Sequence, residues 1–148
     1  MSDVKDLPPA GLHNIRAIVE GRSNYKGIFH TLGFRGISAD EGFVVLEATP
    51  TPAVYNPMDA VHGGYAATLL DTAMGFAVAT RLAHDQGFTT LELKVAYHRA
   101  MTEKTGPVRG EGKVLTFGRR AAFTEGRVVD DKGNLYATAT STCLVFTR

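Results

Sequence analysis

The stretch Asn56-Pro57-Met58-Asp59-Ala60-Val61-His62-Gly63-Gly64-Tyr65-Ala66-Ala67-Thr68-Leu69-Leu70-Asp71-Thr72 decides how this chain reads. Its first residues belong to a loop from Pro50 to Ala60, punctuated by Pro50, Pro52, Asn56, Pro57 and Asp59. The remainder opens a long helix, expected from about Gly63 to His84. Its residues are mostly Ala, Leu, Met, Thr and Val, apolar nearly all round, so the helix must be buried on most faces.

Two features of that helix point to chemistry. His62-Gly63-Gly64 sits at its start, where free backbone N–H groups point outward and the dipole favours negative charge. Glycine there lets a ligand approach the backbone closely, a suitable place to hold a carbonyl oxygen that becomes an oxyanion. The second feature is Asp71, mid-helix. Its helical neighbours Ala67, Thr68, Met74 and Gly75 include no base, so no intrahelical ion pair neutralises it. A buried, unpaired carboxylate is costly; such a residue is either capped by distant donors or exposed in a cleft. Asp71 lies eight residues after Gly63, roughly 12 Å along a helix axis. A carboxylate cannot reach a carbonyl held that far away, so if both act on one substrate they should come from two different subunits. Two such helices crossing antiparallel about a two-fold bring Gly63 of one near Asp71 of the other, and two-fold dimers are the commonest oligomers.

Outward from the helix, residues 10–22 read as a short amphipathic helix through Leu12, Ile15, Ile18 and Val19, with Gly21 as its stop. Strands are expected at 34–39 and 42–49, joined at Asp40-Glu41-Gly42. Further strands follow at 88–98, 107–117, 120–130 and 135–146. In the first of these Leu91, Leu93, Val95 and Tyr97 alternate onto one face. In the last, Ala137, Ala139, Ser141, Cys143 and Val145 oppose Thr138, Thr140, Thr142, Leu144 and Phe146. Antiparallel strands beside one buried helix indicate an α+β fold with the sheet wrapped around the helix.

Composition narrows the class. The 148 residues suit one domain. With 44% hydrophobic and 21% charged residues, the chain has the makeup of a globular protein, not of a disordered one. A formal net charge of +1 gives no long-range attraction to nucleic acid, so no nucleic-acid partner is expected. The single cysteine, Cys143, forbids an intrachain disulfide and favours a reducing, cytoplasmic setting. The charged start, Met1 to Pro9, has no apolar core of a signal peptide. The most apolar stretch, Tyr65 to Ala79, is interrupted by Asp71 and is too short for a bilayer span, so no membrane partner is expected.

The sequence His62-Gly63-Gly64, followed by Leu70-Asp71-Thr72-Ala73 and preceded by Asn56, resembles the hotdog-fold acyl-CoA thioesterases of the phenylacetate-degradation and 4-hydroxybenzoyl-CoA thioesterase type. The likeness covers about residues 25–146. It implies a single hotdog domain over residues 25–148, with residues 1–24 as an amino-terminal extension carrying the short helix. It also implies hydrolysis of an acyl-CoA thioester without metal or other cofactor, CoA being part of the substrate. By the same resemblance, the Gly63 N–H polarises the thioester carbonyl, and Asp71 of the opposite subunit is nucleophile or general base. Asn56 orients water or thioester, and a hydroxyl early in the next strand, Thr90 or Thr89, positions the water. The family further implies a homo-oligomer, a dimer with shared sites arranged as a dimer of dimers.

Each assignment has a plainer reading. His62 serves either catalysis or only the backbone at the helix start. Asn56, before Pro57, is a good turn residue in its own right, and Thr89 and Thr90 are ordinary strand residues. Gly64 belongs to the same ligand-facing helix start. Arg119 and Arg120 suit the phosphates of CoA because guanidinium matches phosphate geometry, although most such pairs are merely solvated; His98 and Arg99, ending a strand, are candidates of the same kind. Asp59, His62, Asp71 and His84 have no metal-site spacing. Tyr65, Met74, Phe76 and Phe88 are pocket or core residues. Two rival functions use the same fold: a non-catalytic acyl-CoA-binding protein and a hydratase or dehydratase.

Overall fold

In the computed structural model, which describes residues 8–148, the apolar helix α3 (Gly63–Ala79) lies in the concave face of a six-stranded antiparallel sheet. The first seven residues of the charged start fall outside the described residues. The strands are β1 (Arg35–Asp40), β2 (Phe43–Ala48), β3 (Gln86–Tyr97), β4 (Val108–Phe117), β5 (Ala121–Asp130) and β6 (Leu135–Thr147), in the order β1-β2-β4-β5-β6-β3. This is the α+β hotdog architecture expected from the sequence. No helix among the described residues is long and apolar enough to cross a membrane.

The helix is held by its own composition. Tyr65, Ala66, Leu69, Leu70, Ala73, Met74, Ala77 and Val78 are buried, and they fill most of its circumference. The sheet comes close enough to meet the helix backbone at Gly112: a Cβ added there would overlap the Ala73 carbonyl, so β4 needs glycine at this crossing. A stripe through Gly64, Ala67, Thr68, Asp71, Thr72 and Phe76 is left uncovered or half-covered.

The helix ends at Ala79, five residues before the expected end at His84. The apolar pattern continues to the buried Leu82, but that residue serves another purpose: its carbonyl accepts the Gly11 N–H at 3.1 Å and anchors α1 (Ala10–Val19). The buried Thr80 makes the stop, its hydroxyl donating to the Ala77 carbonyl at 2.6 Å and accepting the Gly42 N–H at 2.8 Å. The helix expected over 10–22 likewise stops at Val19, two residues before Gly21, whose φ is 73°. A four-residue helix, α2 (Ile28–Thr31), was not expected. It is too short to show a period, and the buried Phe29 seats it against Phe34 and Phe76.

Strand β3 departs most from simple alternation. Thr90 pairs with Cys143 and Glu92 with Thr142, leaving Leu91 as the extra residue of a β-bulge. The bulge changes the phase of the strand. Before it, Phe88 and Thr90 share the face of the inward β6 residues Val145 and Cys143; after it, Leu93, Val95 and Tyr97 share the face of Ser141, Ala139 and Ala137. Leu91 therefore leaves the row in which alternation had placed it and is 59% exposed. Among the described residues β3 pairs only with β6, so its other edge is unpartnered over twelve residues.

Candidate active site

The start of α3 is built by the loop before it. Asn56 Oδ1 accepts the N–H groups of Met58 at 2.9 Å and Ala60 at 3.3 Å, and Asp59 takes a φ of 60° to complete the turn. Val61 then bonds Met101 through its backbone, and His62 bonds Val54, which fixes where the helix begins. The Asn56 carbonyl oxygen is thus committed to the loop, and its Nδ2 is the atom left to donate elsewhere.

His62 caps the helix. Its Nδ1 accepts the Gly64 N–H at 2.8 Å, so in the neutral ring the proton resides on Nε2. The Gly64 amide, expected to face ligand, is consumed by this bond. The Gly63 N–H has no acceptor among the described residues, as the first turn of a helix allows. It stands at a cavity of about 440 Å³, whose lining includes Asn56, His62, Gly63, Tyr97, His98 and Arg99. Five residues from the sequence reading are therefore gathered in one place, and Tyr97 joins them.

Tyr97 was legible only as one member of an alternating strand. Its hydroxyl donates to the Gly63 carbonyl at 2.6 Å, and partial burial raises its pKa above the usual 10.0, so it remains a donor at neutral pH. His98 Nε2 lies 2.8 Å from the Thr138 hydroxyl. Behind Arg99, the Tyr136 phenol donates to Asp130 at 2.8 Å. Asp130 is lowered from 3.8 to about 2, mainly by the Asn134 side chain, with backbone donors of the same turn and Tyr136 adding to it. These partners give one wall of the cavity a fixed shape.

Asp71 lies elsewhere. It is half-buried on the uncovered stripe of α3, outside the residues that line the cavity. Its Oδ1 accepts the Thr90 hydroxyl at 2.9 Å. Thr89, the alternative in the sequence, turns to the opposite face and is exposed. Cys143, across the strand from Thr90, is buried in the core, and burial pushes its thiol up. Phe76 and Phe88 are half-buried on this side, the Phe88 ring against Gly75, whereas Tyr65 and Met74 belong to the core. Arg119 and Arg120 are exposed in the β4–β5 turn. Among the described residues neither guanidinium makes an ion pair, and neither lines the cavity at Gly63.

One chain therefore carries two separated halves: an amide donor over a cavity, and a hydroxyl-supported carboxylate. Both stand on one helix, with roughly 12 Å of axis between them. An amide donor and a carboxylate are the two kinds of group that acyl-group hydrolysis calls on.

Residues 58–137 match the Thioesterase superfamily, and the chain belongs to that family. It is a thioester hydrolase of the hotdog fold. The 1,4-dihydroxy-2-naphthoyl-CoA hydrolase of Listeria monocytogenes is 24% identical over 80% of this chain and 95% of its own. The proofreading thioesterase EntH of Klebsiella pneumoniae is 29% identical over 69% of this chain and 73% of its own. Among solved structures, a phenylacetic acid degradation-related protein of Ralstonia eutropha JMP134 superposes with a TM-score of 0.79 at 27% identity, covering 88% of this chain and 98% of that one.

Proposed function

We propose that the protein hydrolyses an acyl-CoA thioester to a free acid and CoA, at sites shared between two subunits. The observation that carries this reading is the Gly63 N–H, without an acceptor among the described residues, above a cavity that lacks the helix's only carboxylate. The thioester oxygen accepts from Gly63, and negative charge developing on it is met by the amide and the helix dipole. Asn56 Nδ2 and the His62 ring orient the thioester or water. Asp71 of the partner subunit, steadied by its own Thr90, removes a proton from water or attacks directly. In the first case water adds to the carbonyl. In the second an acyl–carboxylate anhydride forms and water then cleaves it. Either way the C–S bond breaks and the thiolate is protonated to CoA.

The unpartnered edge of β3 supplies the means of pairing. An exposed edge of this length is normally covered. Two β3 edges joined antiparallel, with the two-fold near Leu93 and Lys94, set the Thr90 end of one strand against the Tyr97 end of the other. Each cavity then faces a carboxylate. Exposed Phe43 and Phe123 on the outer face of the sheet offer a second contact, for a dimer of dimers.

Release of free thiol from a panel of aryl, short, medium and long acyl-CoAs tests the reaction. Thiol from at least one is the expected result. A non-catalytic acyl-CoA binder, or a hydratase or dehydratase, releases none.

Arg119 and Arg120 are proposed to meet the CoA phosphates, with His98 and Arg99 nearer the thioester. Replacing either Arg119 or Arg120 by Ala should raise KM about two- to fivefold, the scale of an exposed ion pair, with kcat little changed. The effect should shrink on a pantetheine thioester, which lacks the nucleotide. An equal loss on both substrates would remove these arginines from phosphate binding.

A further inference from the structure

We infer that Tyr97 is a positioning residue for the oxyanion donor: its hydroxyl holds the Gly63 carbonyl and its ring closes over the residue, so that Gly63, which carries the unpaired N–H, is fixed beside the cavity. This rests on the thioesterase reading of the site.

Glycine has the least restrained backbone of any residue. An amide that must meet developing charge works best when already aimed. The Gly63 N–H belongs to the His62-Gly63 peptide, whose carbonyl accepts the Tyr65 N–H at 2.9 Å and so sets the direction of the amide; the next peptide is held from two sides. The carbonyl of the Gly63-Gly64 peptide accepts the Tyr97 hydroxyl at 2.6 Å. The N–H of that same peptide donates to His62 Nδ1 at 2.8 Å. Gly63 is thus held on both sides of its Cα, and its N–H is the group left without an acceptor among the described residues.

The Tyr97 ring adds a steric restraint. A Cβ at residue 63 would lie 3.0 Å from both the ring Cζ and the hydroxyl oxygen, tighter than ordinary packing allows. Glycine at this position thus serves the tyrosine as well as the ligand. The aromatic ring closes one side of Gly63, and the cavity opens on another.

The bulge in β3 is what makes this arrangement compatible with the carboxylate. Thr90 and Tyr97 are seven residues apart, an odd number, so a regular strand would point them to opposite faces. The extra residue, Leu91, restores them to the same face. One strand therefore supports both halves of the machinery, Thr90 holding Asp71 and Tyr97 holding Gly63.

The test is Tyr97→Phe, which keeps the ring and removes only the donor. Turnover is measured on the best acyl-CoA, and the Gly63 amide is followed by nitrogen–proton NMR, whose spectrum also reports that the variant is folded. The expected result is a fall in kcat of about five- to tenfold, the scale of one neutral hydrogen bond. KM should stay within about twofold, because uniform binding is not what the hydroxyl supplies. The Gly63 amide resonance should shift, and hydrogen exchange of the Gly64 amide, which belongs to the clamped peptide, should quicken. Wild-type kcat in Tyr97→Phe overturns the proposal. So does a lower kcat with the Gly63 resonance unmoved, since the loss then arises elsewhere. If the wild-type protein releases thiol from no acyl-CoA, the thioesterase reading fails on its own, and the proposal fails with it as an account of catalysis. The Gly63 resonance then reports only whether the clamp exists.

Discussion

Asp71→Asn should lower kcat by about 10²- to 10⁴-fold, the range for losing a positioned proton acceptor, while the fold and acyl-CoA binding survive. The substitution preserves size. It also preserves the local contact, because the Asn carbonyl oxygen can still accept the Thr90 hydroxyl that Asp71 Oδ1 accepts at 2.9 Å. What disappears is the negative charge and the basic oxygen. The residue is half-buried on a helix whose core face is made by its neighbours, so little packing depends on it. Steady-state thiol release gives kcat, and binding of a non-hydrolysable thioether analogue gives affinity independently of turnover. Full activity in a folded Asp71→Asn protein would take this residue out of the mechanism. A Thr90→Val enzyme should lie between the two, since the carboxylate remains but loses the donor that orients it.

The helix and sheet were legible because they obey local rules. An apolar run without a polar face has to be enclosed, and antiparallel strands separated by turns at Glu41-Gly42 and Asp131-Lys132-Gly133-Asn134 enclose it. Asn56, His62 and Gly63 were legible as a group because all three crowd one helix start, and a helix start has known unmet donors. The division of labour among them was not legible. That His62 spends its Nδ1 on Gly64, and Asn56 its oxygen on Met58 and Ala60, depends on side-chain rotations that spacing does not encode. Thr90 could not be separated from Thr89 for a different reason. The face of β3 depends on a bulge set by pairing with β6, some fifty residues later in the chain. Alternation placed Leu91 with Leu93, Val95 and Tyr97; the bulge substitutes Thr90 for it. Tyr97 was hidden for the same reason that most aromatic residues are: in an alternating strand a tyrosine reads as packing until its hydroxyl is seen to have a partner.

The shared site has the sharpest expected outcome, because two dead proteins should make a live one. Gly63→Pro removes the amide that the thioester oxygen needs. Proline is well suited to the first position of a helix, and the ψ of 132° at His62 is compatible with a following proline. The added ring atoms press on Tyr97, so a folded spectrum has to be shown for this variant before its kinetics are read. Asp71→Asn removes the carboxylate at the other end of α3. Each homodimer has one of the two lesions in both of its sites, and each should be inactive. In a mixed dimer the lesions sort differently. The site that takes Gly63 from the Asp71→Asn chain takes Asp71 from the Gly63→Pro chain, and both groups are native. The second site receives both lesions. Random mixing makes about half of the dimers mixed, each with one good site, so activity should return to about a quarter of the wild-type value per chain. A site contained within a single chain predicts no recovery, because every chain in the mixture is defective. The two geometries are therefore separated by a yes-or-no reading, provided mixed dimers are shown to form by tagged co-purification. Folded, mixed and inactive dimers would overturn the shared site. The roughly 12 Å between Gly63 and Asp71 along α3 would then have to be bridged by a substrate reaching both ends of one helix, which no thioester carbonyl can do.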